Sequence, residues 1–95
     1  MSHDPISDDE LANILARAEA ATPGPWRSHV EGRDHTSGSS FIKTSTSGER
    51  ANDIELSGAT VADQDFIAAA REDVPRLVAE IRRLHGELKK RASRL

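Results

Sequence analysis

The chain contains no cysteine and no tyrosine, and its aromatic residues are limited to Trp26, Phe41 and Phe66. The lack of cysteine excludes disulfides and thiolate metal sites. No run of residues is apolar enough to span a bilayer, and the acidic, polar start of the chain is unlike a signal peptide. We therefore expect a soluble cytoplasmic protein that has no membrane partner.

Signatures of catalysis and of metal binding are also missing. No Gly-x-Ser-x-Gly elbow surrounds a serine, and no Gly-Lys-Ser/Thr sequence ends a phosphate-binding loop. His85 has Ile81 and Lys89, rather than metal ligands, four residues away on either side. Acidic pairs such as Asp63 and Asp65 are explained more simply as helix caps. We expect a protein that is not an enzyme and that uses no metal or cofactor.

The length and charge of the chain limit its class further. Ninety-five residues form one small domain with a thin core. The net charge at pH 7 is −3, with acidic residues dominating up to Asp65 and basic residues from Arg71 onward. The basic end is either a solvated helix face that complements its own dipole or an anion site. We do not expect nucleic acid to be a partner, because the domain is acidic overall and no sequence pattern indicates a recognition helix.

The hydrophobic pattern predicts a single α+β domain over residues 1–95. Helical periodicity follows a capping box at Ser7–Glu10, and alternating or β-branched stretches predict three short strands in an antiparallel meander. Thr60 or Asp63 is expected to cap the next helix. The predicted elements are a flexible lead at 1–6, a helix at 8–21, strands at 26–30, 41–45 and 53–56, and helices at 63–72 and 75–92.

Pro75 divides the helical C-terminal region. Its ring clashes with the carbonyl four residues earlier and restricts Val74 before it. Asp73 is suited to cap a new helix that has Pro75 in its first turn. We therefore predict two C-terminal helices that meet near this position, with one kinked helix as the alternative.

Large apolar side chains recur in the last helix at spacings of four, three and four residues, which places them on one face. A thin core with three aromatic residues leaves such a face without cover from the same chain. We predict a homo-oligomer whose interface is formed by Leu77, Ile81, Leu84 and Leu88.

Arg71 directly follows three alanines, whose small side chains let a backbone or a flat ligand approach closely. A guanidinium in that setting offers planar donors for phosphate or carboxylate. A salt bridge within the chain is the alternative. Trp26 is expected to anchor the first helix to the sheet, with stacking on a base as its alternative role.

Two motifs give the chain a resemblance to a group of small phage and prophage accessory proteins. Ala-Thr-Pro-Gly-Pro-Trp occupies 21–26, and Phe-Ile-Ala-Ala-Ala-Arg-Glu-Asp-Val-Pro occupies 66–75. Some phage proteins that look similar in layout are anti-defence proteins of the Thoeris anti-defence type. Those proteins bind cyclic ADP-ribose isomers, and in some cases cyclic oligonucleotides, without cleaving them, and they form oligomers.

The resemblance implies a protein that sequesters such an immune signal in the cytoplasm of an infected or lysogenic bacterial host. Phe41 would stack on a base, and Asn52 and Asp53 would read its edge. Arg17 and Arg71 would hold phosphates. The ligand-contacting set is then Arg17, Trp26, Phe41, Ile42, Asn52, Asp53 and Arg71. The alternative function is an interaction module that self-associates through the C-terminal helix and binds no small molecule.

Overall fold

The computed structural model describes residues 5–36, 38–44 and 53–94. These residues form two helices and one two-stranded antiparallel sheet. The elements are α1 at Asp8–Ala20, β1 at Arg27–His29, β2 at Phe41–Lys43 and α2 at Val61–Ser93. The chain divides into a two-helix unit, Met1–Ala21 with Val74–Leu95, and a hairpin unit, Thr22–Asp73. The helix α2 therefore contributes residues to both units.

The start of α1 confirms the predicted capping box. The Ser7 hydroxyl accepts a hydrogen bond from the Glu10 N–H at 3.1 Å, and the Glu10 carboxylate accepts one from the Ser7 N–H at 3.4 Å. Such a reciprocal pair satisfies N–H groups that have no partner inside the helix. The helix predicted at 8–21 is confirmed to within one residue.

In the two-helix unit, few apolar side chains are enclosed. Leu11 of α1 and Val78 of α2 are buried. At the edge of this small core, a carboxylate oxygen of Asp8 lies 3.3 Å from Nδ1 of His85, and the other lies 3.8 Å from Nζ of Lys89. Asp8 and Lys89 are largely exposed, so these contacts contribute little to stability.

In the hairpin unit, β1 and β2 pair with Ser28 opposite Ile42 and His29 opposite Phe41. Successive side chains of a strand point to opposite faces, yet Phe41 and Ile42 are both buried. The core of this unit thus lies on both sides of β2.

Gln64 of α2 joins the helix to the hairpin through polar contacts. Its side-chain nitrogen lies 2.9 Å from the Ser28 hydroxyl, 3.2 Å from the His29 carbonyl and 3.2 Å from the Phe41 carbonyl. Gln64 is buried, so these contacts satisfy polar groups that would otherwise lose water without compensation. This amide therefore contacts the backbone of both strands of the hairpin.

The predicted three-stranded meander is wrong, because the sheet in the described residues has two strands. Ile54, inside the predicted strand at 53–56, forms only an isolated bridge with Ile42, with N–H···O distances of 2.8 and 2.9 Å. After this bridge the chain turns at Ser57-Gly58, where Gly58 has a φ of +79°. β1 and β2 are also shorter than predicted, and Ser45 lies outside the described residues.

The predicted break at Pro75 is also wrong, because α2 is one helix with Pro75 inside it. Proline has no N–H and costs a helix interior about 3 kcal/mol. The residues on both sides favour helix, and Val78 in the following turn is buried. Continued packing therefore outweighs the local penalty, and a single helix replaces the two that were predicted.

The N-cap of α2 is Thr60, and Asp73 caps no helix. The Thr60 hydroxyl accepts a hydrogen bond from the Asp63 N–H at 3.0 Å, and the Asp63 carboxylate accepts one from the Thr60 N–H at 3.1 Å. In the described part of the chain, neither helix combines the length and apolarity needed to cross a bilayer.

Replacing Gln64 by leucine tests the polar attachment of the hairpin. The Gln64→Leu substitution removes the amide that contacts the Ser28 hydroxyl and the His29 and Phe41 carbonyls, so unfolding should become easier by about 1–3 kcal/mol. Urea unfolding followed by circular dichroism measures this change. The control is Ala69→Leu at an exposed position of the same helix, which should change stability by less than about 0.5 kcal/mol. Equal effects of the two substitutions would contradict the attachment.

Candidate functional site

The carbonyl oxygen of Thr22 accepts two side-chain hydrogen bonds in the hairpin unit. The Nε–H of Arg71 donates to it at 2.8 Å, and the indole N–H of Trp26 donates to it at 3.0 Å. Thr22 and Trp26 belong to the first sequence motif, and Arg71 belongs to the second. One oxygen atom therefore joins two motifs that are far apart in the chain.

Gly24 lies against α2 at the same place. A Cβ atom at Gly24 would overlap the Glu72 carboxylate and would lie 3.4 Å from Cγ of Arg71. The loop therefore approaches the helix closely, although the overlapping atoms belong to the end of the exposed and flexible Glu72 side chain, which can move aside. Pro23 and Pro25 on either side restrict the loop to few conformations.

Arg71 is half-buried, and its bond to Thr22 fixes the orientation of the guanidinium. Among the residues that the structure describes, the two terminal nitrogens of Arg71 form no hydrogen bond. Terminal N–H groups of arginine match phosphate and carboxylate oxygens. The predicted alternative, a salt bridge to a carboxylate of the chain, is not among the contacts of the described residues. Arg71 thus combines a structural bond at Nε with terminal donors that form no hydrogen bond to a described residue.

The aromatic–aliphatic pair assigned to ligand contact lies in the core of the hairpin unit. Ile42 is fully buried, and Phe41 stacks on His29 with ring centroids 5.2 Å apart and an interplanar angle of 4°. A base could stack on Phe41 only if His29 moved. Asp53 is half-buried with both carboxylate oxygens enclosed, and Asn52 lies outside the described residues.

The remaining members of the ligand set are placed as follows. Trp26 is half-buried directly before β1, and it shares the Thr22 carbonyl with Arg71. Arg17 belongs to the two-helix unit, where it is exposed in the last turn of α1. The structure therefore brings Trp26 and Arg71 together, within the hairpin unit.

Sequence reasoning missed an aromatic cluster in the hairpin unit. The ring of His35 lies 5.5 Å from that of Phe41 and 6.4 Å from that of His29, measured between centroids. Nε2 of His35 is buried and has no hydrogen-bond partner among the described residues. No group of three or more potential metal ligands is present in the described ranges. The rings of His29 and His35 pack around Phe41.

Arg33 forms a charged contact that sequence reasoning also missed. Its terminal nitrogens donate to the two carboxylate oxygens of Asp65 at 2.8 and 3.0 Å, and it also bonds Asp34 at 2.9 Å. Hydrogen bonds from Arg33, and then from Ser28, lower the pKa of Asp65 to about 2. The same carboxylates raise the pKa of Arg33 above its usual value. This pair connects the 30–35 turn to α2.

The predicted oligomer residues lie on the exposed side of α2 in the two-helix unit. Leu77, Leu84 and Leu88 are 59, 45 and 63% exposed, and Ile81 between them is half-buried. We call Leu77, Ile81, Leu84 and Leu88 the leucine face. Large apolar side chains are normally covered, and a contiguous exposed group marks an interaction surface.

Charged side chains beside the leucine face pair along the helix itself. Arg83 bonds Glu80 through Nε at 3.2 Å, and Nζ of Lys90 lies 3.7 Å from the Glu87 carboxylate. Pairs three residues apart are neighbours on a helix surface. Much of the basic C-terminal charge is therefore part of a solvated helix face, which is the first of the two interpretations that the sequence allows.

The hairpin unit exposes an apolar surface of its own. Phe66 is 74% exposed and borders an open groove of about 400 Å³, whose lining also includes Leu56 and Ile67. Asp63 lies in the same groove and is already engaged in capping α2. The groove is open to solvent, and no positively charged side chain of the described residues lines it.

Substitution of Arg71 tests its structural role. Arg71→Ala removes the bond to the Thr22 carbonyl and should reduce the free energy of unfolding by about 1–3 kcal/mol. The control is Arg82→Ala, because Arg82 is exposed on the same helix and should tolerate truncation within about 0.5 kcal/mol. Chemical unfolding measures the free energy of unfolding of both variants and of the wild type. If Arg71→Ala is as stable as the wild type, the motif contact does not hold the fold.

Acid unfolding tests the contact between Arg33 and Asp65. The pKa of Asp65 is about 2 in the folded chain against an ordinary 3.8. The contact therefore stabilises the protein above pH 3.8, and that stabilisation is lost as the pH falls toward about 2. The melting temperature of the wild type should exceed that of Asp65→Asn at neutral pH, and the two should converge across this window. In an Arg33→Ala background the convergence should be weaker, and an unchanged convergence would exclude Arg33 as the cause.

Comparisons of the chain with models of known families, with curated proteins and with solved structures find no match. What the phage-protein resemblance implies is therefore an expectation, without support from a relative. The leucine face and the Arg71–Trp26 contact are the two candidate sites that the chain's own geometry offers.

Proposed function

We propose that the protein is a non-enzymatic interaction module that self-associates through the leucine face of α2. The exposure of Leu77, Leu84 and Leu88 carries this proposal, because each side chain is about half exposed on one side of a single helix. Water-exposed leucines at this spacing are the surface that a partner helix covers. The proposal needs no cofactor and no catalytic residue.

The gain from covering this face is modest and comparable with the cost of association. Complete burial of one leucine contributes about 1.5–3 kcal/mol. Covering three half-exposed leucines in each of two copies therefore gains roughly 5–9 kcal/mol. Association costs at least about 4 kcal/mol in lost translational and rotational freedom. A weak, concentration-dependent oligomer is the expected result.

The rim of the face also suits a reversible interface. Arg83 with Glu80 and Lys90 with Glu87 form pairs within the helix, so these charges are compensated before a partner arrives. A polar rim around an apolar centre is the usual anatomy of protein interfaces. Covering the leucines therefore leaves few charges unpaired at the edge.

Sedimentation velocity from about 1 µM to about 1 mM, which brackets weak association, tests the proposal. The wild type should shift from monomer toward oligomer as its concentration rises. Leu84→Glu places a charge in the leucine face and should keep the protein monomeric throughout. The matched control is Ala79→Glu at another exposed position of α2, which should associate like the wild type. A wild type that is monomeric at the highest concentration would rule out this function.

A second candidate is sequestration of an anionic, nucleotide-type ligand, as the phage-protein resemblance implies. The observation that favours it is the guanidinium of Arg71, held at Nε by Thr22 beside the half-buried Trp26. An oriented arginine next to an indole can bind phosphate and stack on a base. The burial of Phe41 and Ile42 speaks against their use in the same site.

Calorimetry with cyclic ADP-ribose isomers and with cyclic di- and trinucleotides tests the second candidate. Binding heat should appear for at least one of these ligands and should be lost in Arg71→Lys, which keeps the charge but lacks the planar fork. Circular dichroism confirms that the variant is folded, and Arg82→Lys is the control. The absence of heat with every ligand would eliminate sequestration and leave the self-association proposal untouched.

A further inference from the structure

We propose that two copies of the chain pair antiparallel through the leucine face. Leu77 of one copy would lie against Leu88 of the second copy, and Ile81 would lie against Leu84. This inference rests on the proposed self-association and adds the identity of the partner and the direction in which its helix runs. It involves only residues of the two-helix unit.

The leucine face is complementary to itself. Its spacings of four, three and four residues are those of a coiled-coil seam, and they read the same from either end. Leu77 and Leu88 are equally distant from the midpoint between Ile81 and Leu84. A two-fold axis through that midpoint therefore brings the same four side chains together, as a closed dimer interface requires.

The pattern of exposure agrees with this symmetry. The two most exposed leucines, Leu77 and Leu88, stand at the ends of the face, about 17 Å apart along the helix. In the antiparallel arrangement each covers the other. Ile81, which is already half-buried within its own copy, lies in the middle against Leu84, where less surface is left to cover.

Charge at the end of α2 opposes the parallel arrangement. The basic residues beyond the leucine face are all exposed; they are Lys89, Lys90, Arg91 and Arg94. Arg91 occupies the next seam position after Leu88, so parallel helices would place two copies of it face to face. Antiparallel helices separate these two arginines by about 25 Å, well beyond the screening length of about 8 Å at physiological salt. Oppositely directed helix dipoles add a small favourable term.

Two glutamates approach each other across the antiparallel seam. Glu80 of one copy and Glu87 of the second copy flank the same edge. Each is already compensated on its own helix, Glu80 by Arg83 and Glu87 by Lys90. The opposite edge of the seam belongs to the side of α2 that carries the buried Val78. The antiparallel pairing thus brings two compensated acids together and keeps the basic ends apart.

Cysteine crosslinking tests the direction, because the natural chain contains no cysteine. Leu77→Cys and Leu88→Cys are prepared separately, and each is treated alone and as an equimolar mixture with a short bismaleimide linker. The mixture should give a crosslinked dimer at a yield several-fold above either variant alone. In the antiparallel dimer two copies of position 77 are about 17 Å apart, beyond the reach of a short linker. Ala79→Cys supplies the background of random collisions.

The alternative outcomes separate the two proposals. Efficient crosslinking of Leu77→Cys alone and Leu88→Cys alone would show parallel pairing and overturn the inference, while leaving self-association intact. Background yields everywhere, with a dimer still seen for the wild type by sedimentation, would overturn the pairing through the leucine face. Background yields together with a monomeric wild type would overturn both the inference and the proposed function.

Discussion

A shortage of large apolar side chains is the constraint on which this structure depends. The longest element is a 33-residue helix, and the described residues supply few side chains able to cover it. In the two-helix unit, Leu11 of α1 and Val78 of α2 are buried, whereas three leucines of α2 are about half exposed. Small chains bury a low fraction of their surface, and here the deficit falls on one face of α2. We propose self-association as the way in which this deficit is made good.

The same shortage explains why polar groups attach α2 to the hairpin. Gln64 bonds the backbone of both strands, Arg33 bonds Asp65, and Arg71 bonds the carbonyl of Thr22. Such contacts fix geometry more than they add net stability, because each replaces bonds to water. They also give Arg71 a structural role that is compatible with ligand binding through its terminal nitrogens. A variant at Arg71 therefore has to be checked for folding before its effect on binding is interpreted.

Local rules predicted the parts of the fold that local interactions decide. The Ser7 capping box, α1 and the positions of β1 and β2 follow from neighbouring residues, and the structure confirms them. The break at Pro75 was wrong because packing along α2 overrode a local penalty. The third strand was wrong because Ile54 forms only an isolated bridge with Ile42 in the described residues. The contact between Arg33 and Asp65 had no signal, since these residues are far apart in sequence. The contacts of Gln64 and Arg71 with the hairpin did have a signal in the sequence. Gln64, Ala68 and Arg71 follow one another at helical spacing, which places them on one side of α2.

Amide hydrogen exchange of α2 as a function of protein concentration tests the central claim most directly. Peptides that cover residues 77–88 should exchange more slowly at about 1 mM than at about 1 µM, the range of weak association, because a second copy covers this segment. Peptides from β1 and β2 should exchange at the same rate at both concentrations. Exchange in 77–88 that does not depend on concentration would contradict the account, because the leucine face would then have no partner of its own kind.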